Sequence, residues 1–192
     1  MFEYITGRIV ELTPAHLVIE NGGVGYFVNV SLHTYTCMSG KENATVYIHQ
    51  VIRDDAHMLF GFEGKREREL FRMLITVSGI GANTARMMLS SLSPPEIEQA
   101  IVEENVEALK GVKGIGLKSA QRVVVDLKNK MGKMAEEKAP EPADSSVREE
   151  AFSALVMLGF PKNSVEKVIS RLLSESAEHT VESLVKNALR RL

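Results

Sequence analysis

Two short stretches carry the residues best placed for chemistry in this chain: Val77-Ser78-Gly79-Ile80-Gly81-Ala82-Asn83-Thr84-Ala85 and Val112-Lys113-Gly114-Ile115-Gly116-Leu117-Lys118-Ser119-Ala120. Each brackets an isoleucine between glycines, and the chemistry this permits is non-covalent. Glycine allows the angles and close approach of a tight turn that a Cβ would obstruct. Ile80 or Ile115 is then left to plug the space between helices. The amides of such a turn, followed at once by a helix N-terminus, make a partly positive site suited to a phosphate oxygen. A contact of that kind reads a backbone rather than a base sequence.

Helices must position these turns. An apolar run at helical spacing precedes each copy (Leu70, Phe71, Leu74, Ile75; then Ile101, Val102, Val106, Leu109), and another follows it (Met87, Met88, Leu89; then Val123, Val124, Leu127). Lys65 to Glu69 starts a helix of mixed charge leading into the first turn. Ser93-Pro94-Pro95-Glu96 reads as a helix start, with a capping serine and prolines suited to the first turn. The spacing from Gly79 to Gly114 leaves room for one connecting helix. Lys110, Lys113, Lys118 and Arg122 surround the second turn and make it the more basic of the two. The doubled pattern resembles the tandem helix-hairpin-helix module of DNA-binding proteins. Overall charge does not supply the attraction, since the chain of 192 residues carries a formal net charge of −2. Residues 1–62 hold more acids than bases and residues 63–131 the reverse, so binding must rest on placed groups.

The first sixty residues read as β structure: Tyr4 to Leu12, His16 to Glu20, Tyr26 to Val30, Ala44 to Ile52 and His57 to Phe62. Five short strands cannot shield two faces as an open sheet. Closure into an OB-type barrel is the favoured solution, with an SH3-like barrel as its rival. Asn21-Gly22-Gly23-Val24-Gly25 has no helix or Lys-Ser/Thr after it, so it is a β-turn and not a nucleotide loop. Arg53-Asp54-Asp55 interrupts two apolar strands with adjacent acids at a hairpin tip. Aspartate is a common turn former, so a solvated turn is the plain reading; acids projected toward DNA to repel phosphates are the functional one. No third ligand at a suitable spacing supports a catalytic metal. The single Cys37 excludes an internal disulfide framework and a cysteine-built zinc site, which fits a reducing compartment. No apolar run approaches a membrane span, and Met1-Phe2-Glu3-Tyr4 lacks the basic character of a signal peptide, so the cytoplasm is expected.

Residues 132–145 are poor in large apolar groups and rich in Glu, Ala and Pro, the composition of a mobile tether. Three helices are expected beyond it: Val147 to Leu158, stopped by Gly159; a second from Pro161 to about Leu173; and a third capped by Thr180. Met157-Leu158-Gly159-Phe160 is similar to the loop of ubiquitin-associated bundles, which bind proteins. Leu158, Gly159 and Phe160 are therefore candidate partner contacts, with core packing as the alternative for Phe160.

Taken in order, the barrel (1–62), tandem hairpins (63–131), linker (132–145) and three-helix bundle (146–192) describe a multi-domain α+β protein. The chain closely resembles the RuvA family, the Holliday-junction-binding subunits of the bacterial branch-migration complex. Gly22-Gly23-Val24-Gly25-Tyr26, Arg53-Asp54-Asp55-Ala56 with Gly61-Phe62, and the two hairpins carry the likeness. It implies tetramers on the face of a four-way junction, two tetramers sometimes enclosing it as an octamer, recruitment of the RuvB ATPase motor through the C-terminal domain, and the RuvC resolvase as a further partner. It also implies a non-catalytic subunit without a cofactor. By the resemblance Gly79, Ile80, Gly81, Asn83, Lys113, Gly114, Ile115, Gly116, Lys118 and Arg122 belong to the phosphate-gripping hairpins, and Asp54 and Asp55 match an acidic pin at the junction's centre. Asn83 and Leu117 stand where relatives often carry lysine, which implies a weaker grip per subunit. Two rivals remain open. A helix-hairpin-helix glycosylase or nuclease would use Asp126 or Lys128, though helix periodicity explains both. A single-strand-binding OB module would expose aromatics for base stacking, whereas Tyr4, Tyr26, Phe27 and Tyr47 are few and read mostly as core positions.

Overall fold

The computed structural model describes residues 2–136, 143–175 and 180–192, which fall into two compact units, Met1–Glu137 and Lys138–Leu192. The first opens with β1 (Tyr4–Leu12), β2 (His16–Asn21) and β3 (Val24–Val30), then α1 (Leu32–Met38), β4 (Asn43–Arg53) and β5 (Ala56–Phe62). The strands close as β1-β2-β3-β5-β4, every pairing antiparallel except β3 with β5. That crossed order in a five-stranded barrel decides for the OB type over the SH3-like rival. Ile5, Leu17, Ile19, Val28, Val30, Val46 and Ile48 fill the interior, with Met38 of α1 beside them. Gly61 also faces inward, where a Cβ would meet Val28 and Val46 at 2.5 and 2.6 Å.

Helix α1 is an element that strand patterning does not announce. Its sequence, Leu-His-Thr-Tyr-Thr-Cys-Met, is poor in strong helix formers. Local hydrogen bonding decides: Ser31 caps it by accepting from the Thr34 amide at 3.0 Å.

Alternation along β5 sends Phe60 and Phe62 to the opposite face from Gly61, out of the barrel and into a second core. There they meet Phe71, at ring-centroid distances of 5.2 and 4.9 Å. Phe71 lies on α2 (Lys65–Leu74), followed by α3 (Ala82–Ser91), α4 (Pro94–Val102), α5 (Val106–Lys110) and α6 (Leu117–Glu136). Barrel and helices thus share one continuous apolar seam. Val51 and Met58, on the arm leading to the Asp54-Asp55 tip, pack against the same helical core. His49 lies 5.4 Å from Phe71, and burial, aided by Arg72 and Arg68, holds its imidazole below the ordinary value.

The apolar run expected to form one helix before the second hairpin divides in two. Glu104 adopts a left-handed conformation (φ 57). Its amide bonds Ile101 O and that of Asn105 bonds Ala100 O, the paired bonds of a Schellman stop. Asn105 then caps α5 by accepting from the Ala108 amide at 3.1 Å. At the other end of α4, Ser93 sits at the expected cap, and Glu96 completes a capping box with it.

The second unit holds α7 (Ala143–Met157), α8 (Lys162–Glu175) and α9 (Val181–Leu189) around Ala151, Leu155, Val165, Ile169, Leu172, Leu184 and Ala188. Gly159 (φ 98) ends α7, and Thr180 caps α9. Helices α6 and α7 occupy 132–136 and 143–145 of the stretch read as a tether, where Met, Ala and Glu favour helix; its residues 137–142 lie outside the described residues.

Two charged side chains are buried where barrel meets helices. Arg68 donates to Glu3 O at 2.8 Å and to the Glu3 carboxylate at 2.5 Å, with its guanidinium over the Tyr47 ring. Glu67 accepts from Ser31 Oγ and Thr34 Oγ1, both at 2.6 Å, and from the Glu63 amide at 3.2 Å. A carboxylate suits this site because each of its oxygens is an acceptor for one hydroxyl. The variant Glu67→Gln, which leaves one hydroxyl facing an NH2 group, is expected to lose about 1–3 kcal/mol in urea unfolding. A loss below about 0.5 kcal/mol, the level of ordinary surface changes, would show that the network does not hold α1 to α2.

Candidate nucleic-acid interface

The two glycine-bracketed turns have the same construction. Ile80 donates its amide to Val77 O, and Ile115 to Val112 O, each at 3.0 Å. Gly79 and Gly114 both have φ 92, a conformation that side-chain-bearing residues rarely adopt. The isoleucines are buried and the four glycines exposed. Residues 35 positions apart match in burial as well: Leu74 with Leu109, Val77 with Val112, Ala85 with Ala120, and Met88 with Val123 are all buried. Each isoleucine serves as an anchor, its side chain in the core and its amide spent inside the turn. What faces outward is glycine and the first helical turn beyond it.

Gly81 is the N-cap of α3 and offers no side chain to bond the helix's first amides. Ala85 N reaches back to Gly81 O at 2.9 Å, which starts the helical ladder and leaves the amides of Ala82, Asn83 and Thr84 as the orphan donors of the first turn. Ala120 N bonds Gly116 O at 3.0 Å in the second copy and sets Leu117, Lys118 and Ser119 in the same place. Such amides, at the positive end of a helix, suit an anionic oxygen.

Asn83, Lys113, Lys118 and Arg122 are all exposed, on or beside these turns. Lys110 is tied to Glu107 at 3.0 Å within α5. The hairpins are also neighbours: Arg122 Nη1 donates to Ser78 Oγ at 3.2 Å, and a Cβ on Gly79 would lie 3.9 Å from Ser119 Oγ. Sequence reasoning did not single out Ser78. Aligning the two copies at their offset would have drawn attention to it, because Ser78 then falls opposite Lys113, as Met87 does opposite Arg122, and the first turn is left without matching cations.

Asp54 and Asp55 form the two-residue connection between β4 and β5, whose last pair is Arg53 with Ala56. Both are exposed at the end of an arm that packs on the helical core through Val51 and Met58. In the second unit, Met157 and Leu158 are exposed (88% and 61%) while Phe160 packs against the bundle core. Phe160 N bonds Leu155 O and Gly159 N bonds Val156 O, so that loop is also a Schellman helix stop.

The groups named for rival readings are also located. Asp126 and Lys128 are exposed on α6, with Lys128 paired to Glu104. Among the barrel aromatics, the expectation of mostly core positions is corrected. Tyr4 and Phe27 are exposed and Tyr47 half-buried because they alternate with inward-facing Ile5, Val28, Val46 and Ile48, whereas half-buried Tyr26 shares the inward face of Val28 and Val30 and packs against the barrel core. Phe27 stacks on His16 at 4.5 Å, so its face is already partly covered by the protein. Among the described residues, no helix is long and apolar enough to cross a membrane, and no cluster of three His, Cys, Asp or Glu is placed to hold a metal.

Family comparison agrees with this architecture segment by segment. The RuvA N terminal domain model matches residues 1–61, a SAM-like helix-hairpin-helix tandem model residues 71–129, and the RuvA C-terminal domain model residues 146–192. Curated relatives described as "Holliday junction branch migration complex subunit RuvA" are similar over the full length of both chains. Examples come from Parabacteroides distasonis (52% identical over 196 residues), Bacteroides fragilis (50% over 201) and Bacteroides thetaiotaomicron (49% over 201). With a crossed five-stranded barrel, paired glycine hairpins and full-length likeness at this level, the chain belongs to the RuvA family.

Proposed function

We propose that this chain binds four-way DNA junctions through their shape and sugar-phosphate backbone, and presents the bound junction to an ATP-driven motor that moves the branch point. The observation that carries the reading is the pair of outward-facing helix N-termini, each turn anchored by a buried isoleucine and the two linked by the bond from Arg122 to Ser78. Relatives named as subunits of the Holliday junction branch migration complex support it.

Division of labour follows from the placement of charge. Gly79, Gly81, Gly114 and Gly116 let a phosphate approach the orphan amides, Ile80 and Ile115 set the turn, and Asn83, Lys113, Lys118 and Arg122 line the track. None of these groups reads a base edge, so duplex arms are free to slide through the grip. Asp54 and Asp55 repel phosphates at the branch point and keep strands from settling there. The segment from 63 to 131 grips DNA, that from 1 to 62 carries the acidic pin, and that from 146 to 192 docks the motor by Leu158 and its neighbours across a link at 132–145. A four-fold assembly would present a pair of hairpins to each arm, and a second tetramer would close the other face. RuvB is the motor and the RuvC resolvase a further partner in this scheme. The work takes place in the cytoplasm, in keeping with one unpaired cysteine.

Binding to a synthetic four-way junction should exceed binding to a linear duplex of the same sequence by at least about tenfold, a difference of about 1.4 kcal/mol. It should need no ATP and should weaken steeply with salt as counterions are released. Equal affinities for the two DNAs in a gel-shift titration would contradict the reading. Replacing Asp54 and Asp55 together by Asn should tighten junction binding about two- to fivefold at low salt, with the difference shrinking as ionic strength rises. The same variant should separate strands less well in a branch-migration assay supplied with motor and ATP. Weaker binding by this variant would remove the repulsion argument.

A further inference from the structure

The two hairpins share one fold but not one supply of charge. No charged residue lies between Arg72 and Arg86, whereas the matching window of the second copy holds Lys110, Lys113 and Lys118. The arginines at either edge of that neutral window are committed elsewhere. Arg72 pairs with Glu69 at 2.7 Å, and half-buried Arg86 donates to Ala15 O of the barrel at 2.9 Å. Position 87, the counterpart of Arg122, is methionine.

Positive charge arrives at the first hairpin from the other copy. Arg122 Nη1 bonds Ser78 Oγ at 3.2 Å, the residue just before Gly79. Two turns further along α6, Lys130 Nζ reaches Thr76 Oγ1 at 3.5 Å. Ser78 takes one of the five N–H groups of an exposed guanidinium, and a planar fork can serve oxygens on two sides at once in a way that a lysine cannot.

Building on the phosphate-grip reading above, we propose that Arg122 is a shared cation. It lends its charge to the phosphate at the first hairpin as well as to the one at its own, so the two grips are coupled through a single side chain. The first turn supplies amides and geometry and takes its charge from the second copy, so the first hairpin is not a complete site alone.

A double-mutant cycle on the full chain tests this, with a fluorescent four-way junction as the probe and fluorescence anisotropy as the readout. Asn83→Lys places a lysine on the neutral hairpin, and Arg122→Gln removes the shared group. Arg122→Gln should weaken binding about three- to tenfold. Asn83→Lys should improve the parent by less than about twofold, because Arg122 already serves that site, yet recover most of the loss in the Arg122→Gln background. Arg122→Lys, which keeps the charge and loses the fork, should fall between the two. Equal gains from Asn83→Lys in both backgrounds would overturn the proposal, since Arg122 would then serve its own hairpin alone. Lys118→Gln separates this failure from a deeper one: if neither it nor Arg122→Gln changes junction affinity, the hairpins do not grip phosphates at all and the shared cation falls with them.

Discussion

The structure of the first unit depends on a ribbon buried on both faces. One side of the β4–β5 ribbon turns Val46, Ile48 and Gly61 into the barrel, and the other turns Phe60 and Phe62 onto Phe71 of α2. Burying such an aromatic side chain contributes on the order of 2–3 kcal/mol, and three of them meet at one place. A register slip of one residue would exchange the two faces and ruin both cores together. The acidic tip and the glycine hairpins are therefore built on one shared core. The proposed division of labour, with a pin at the branch point and loops on the arms, draws on that shared framework.

In the proposed reading the hairpins solve a separate problem, which is how a chain of net charge −2 can hold a polyanion. On that reading they concentrate the attraction in oriented main-chain dipoles and a few exposed cations. Burial of Ile80 and Ile115 makes this possible, because the anchor is apolar and the outward surface almost bare. Glycine at 79 and 114 completes the turn with a backbone conformation that few other residues tolerate.

Much of this was legible in the sequence. Strand limits differ from the expected ones by a residue or two, and the two hairpins stand where their spacing put them, because period-two alternation and glycine turns are local signals. What escaped was non-local or subtle. Helix α1 is held by the Ser31 cap and by the bonds from Ser31 and Thr34 to Glu67, more than thirty residues away, and nothing in its own composition reveals it. The break between α4 and α5 rests on a glutamate in a conformation usually given to glycine. Exposure of Tyr4 and Phe27 follows from which face of a closed barrel they occupy. Of the site, the glycines and the basic cluster could be named from spacing alone. The bond from Arg122 to Ser78, spanning 44 positions, required the fold.

The central claim is that main-chain amides beside the two glycine turns meet DNA phosphates. Hydrogen–deuterium exchange on the full chain, with and without a saturating four-way junction, tests it most directly. Slower exchange in peptides covering residues 79–84 and 114–119 on adding the junction, with little change in strands β1 and β2, is the predicted result. Unchanged exchange at both turns, under conditions where the junction is demonstrably bound, would contradict the account.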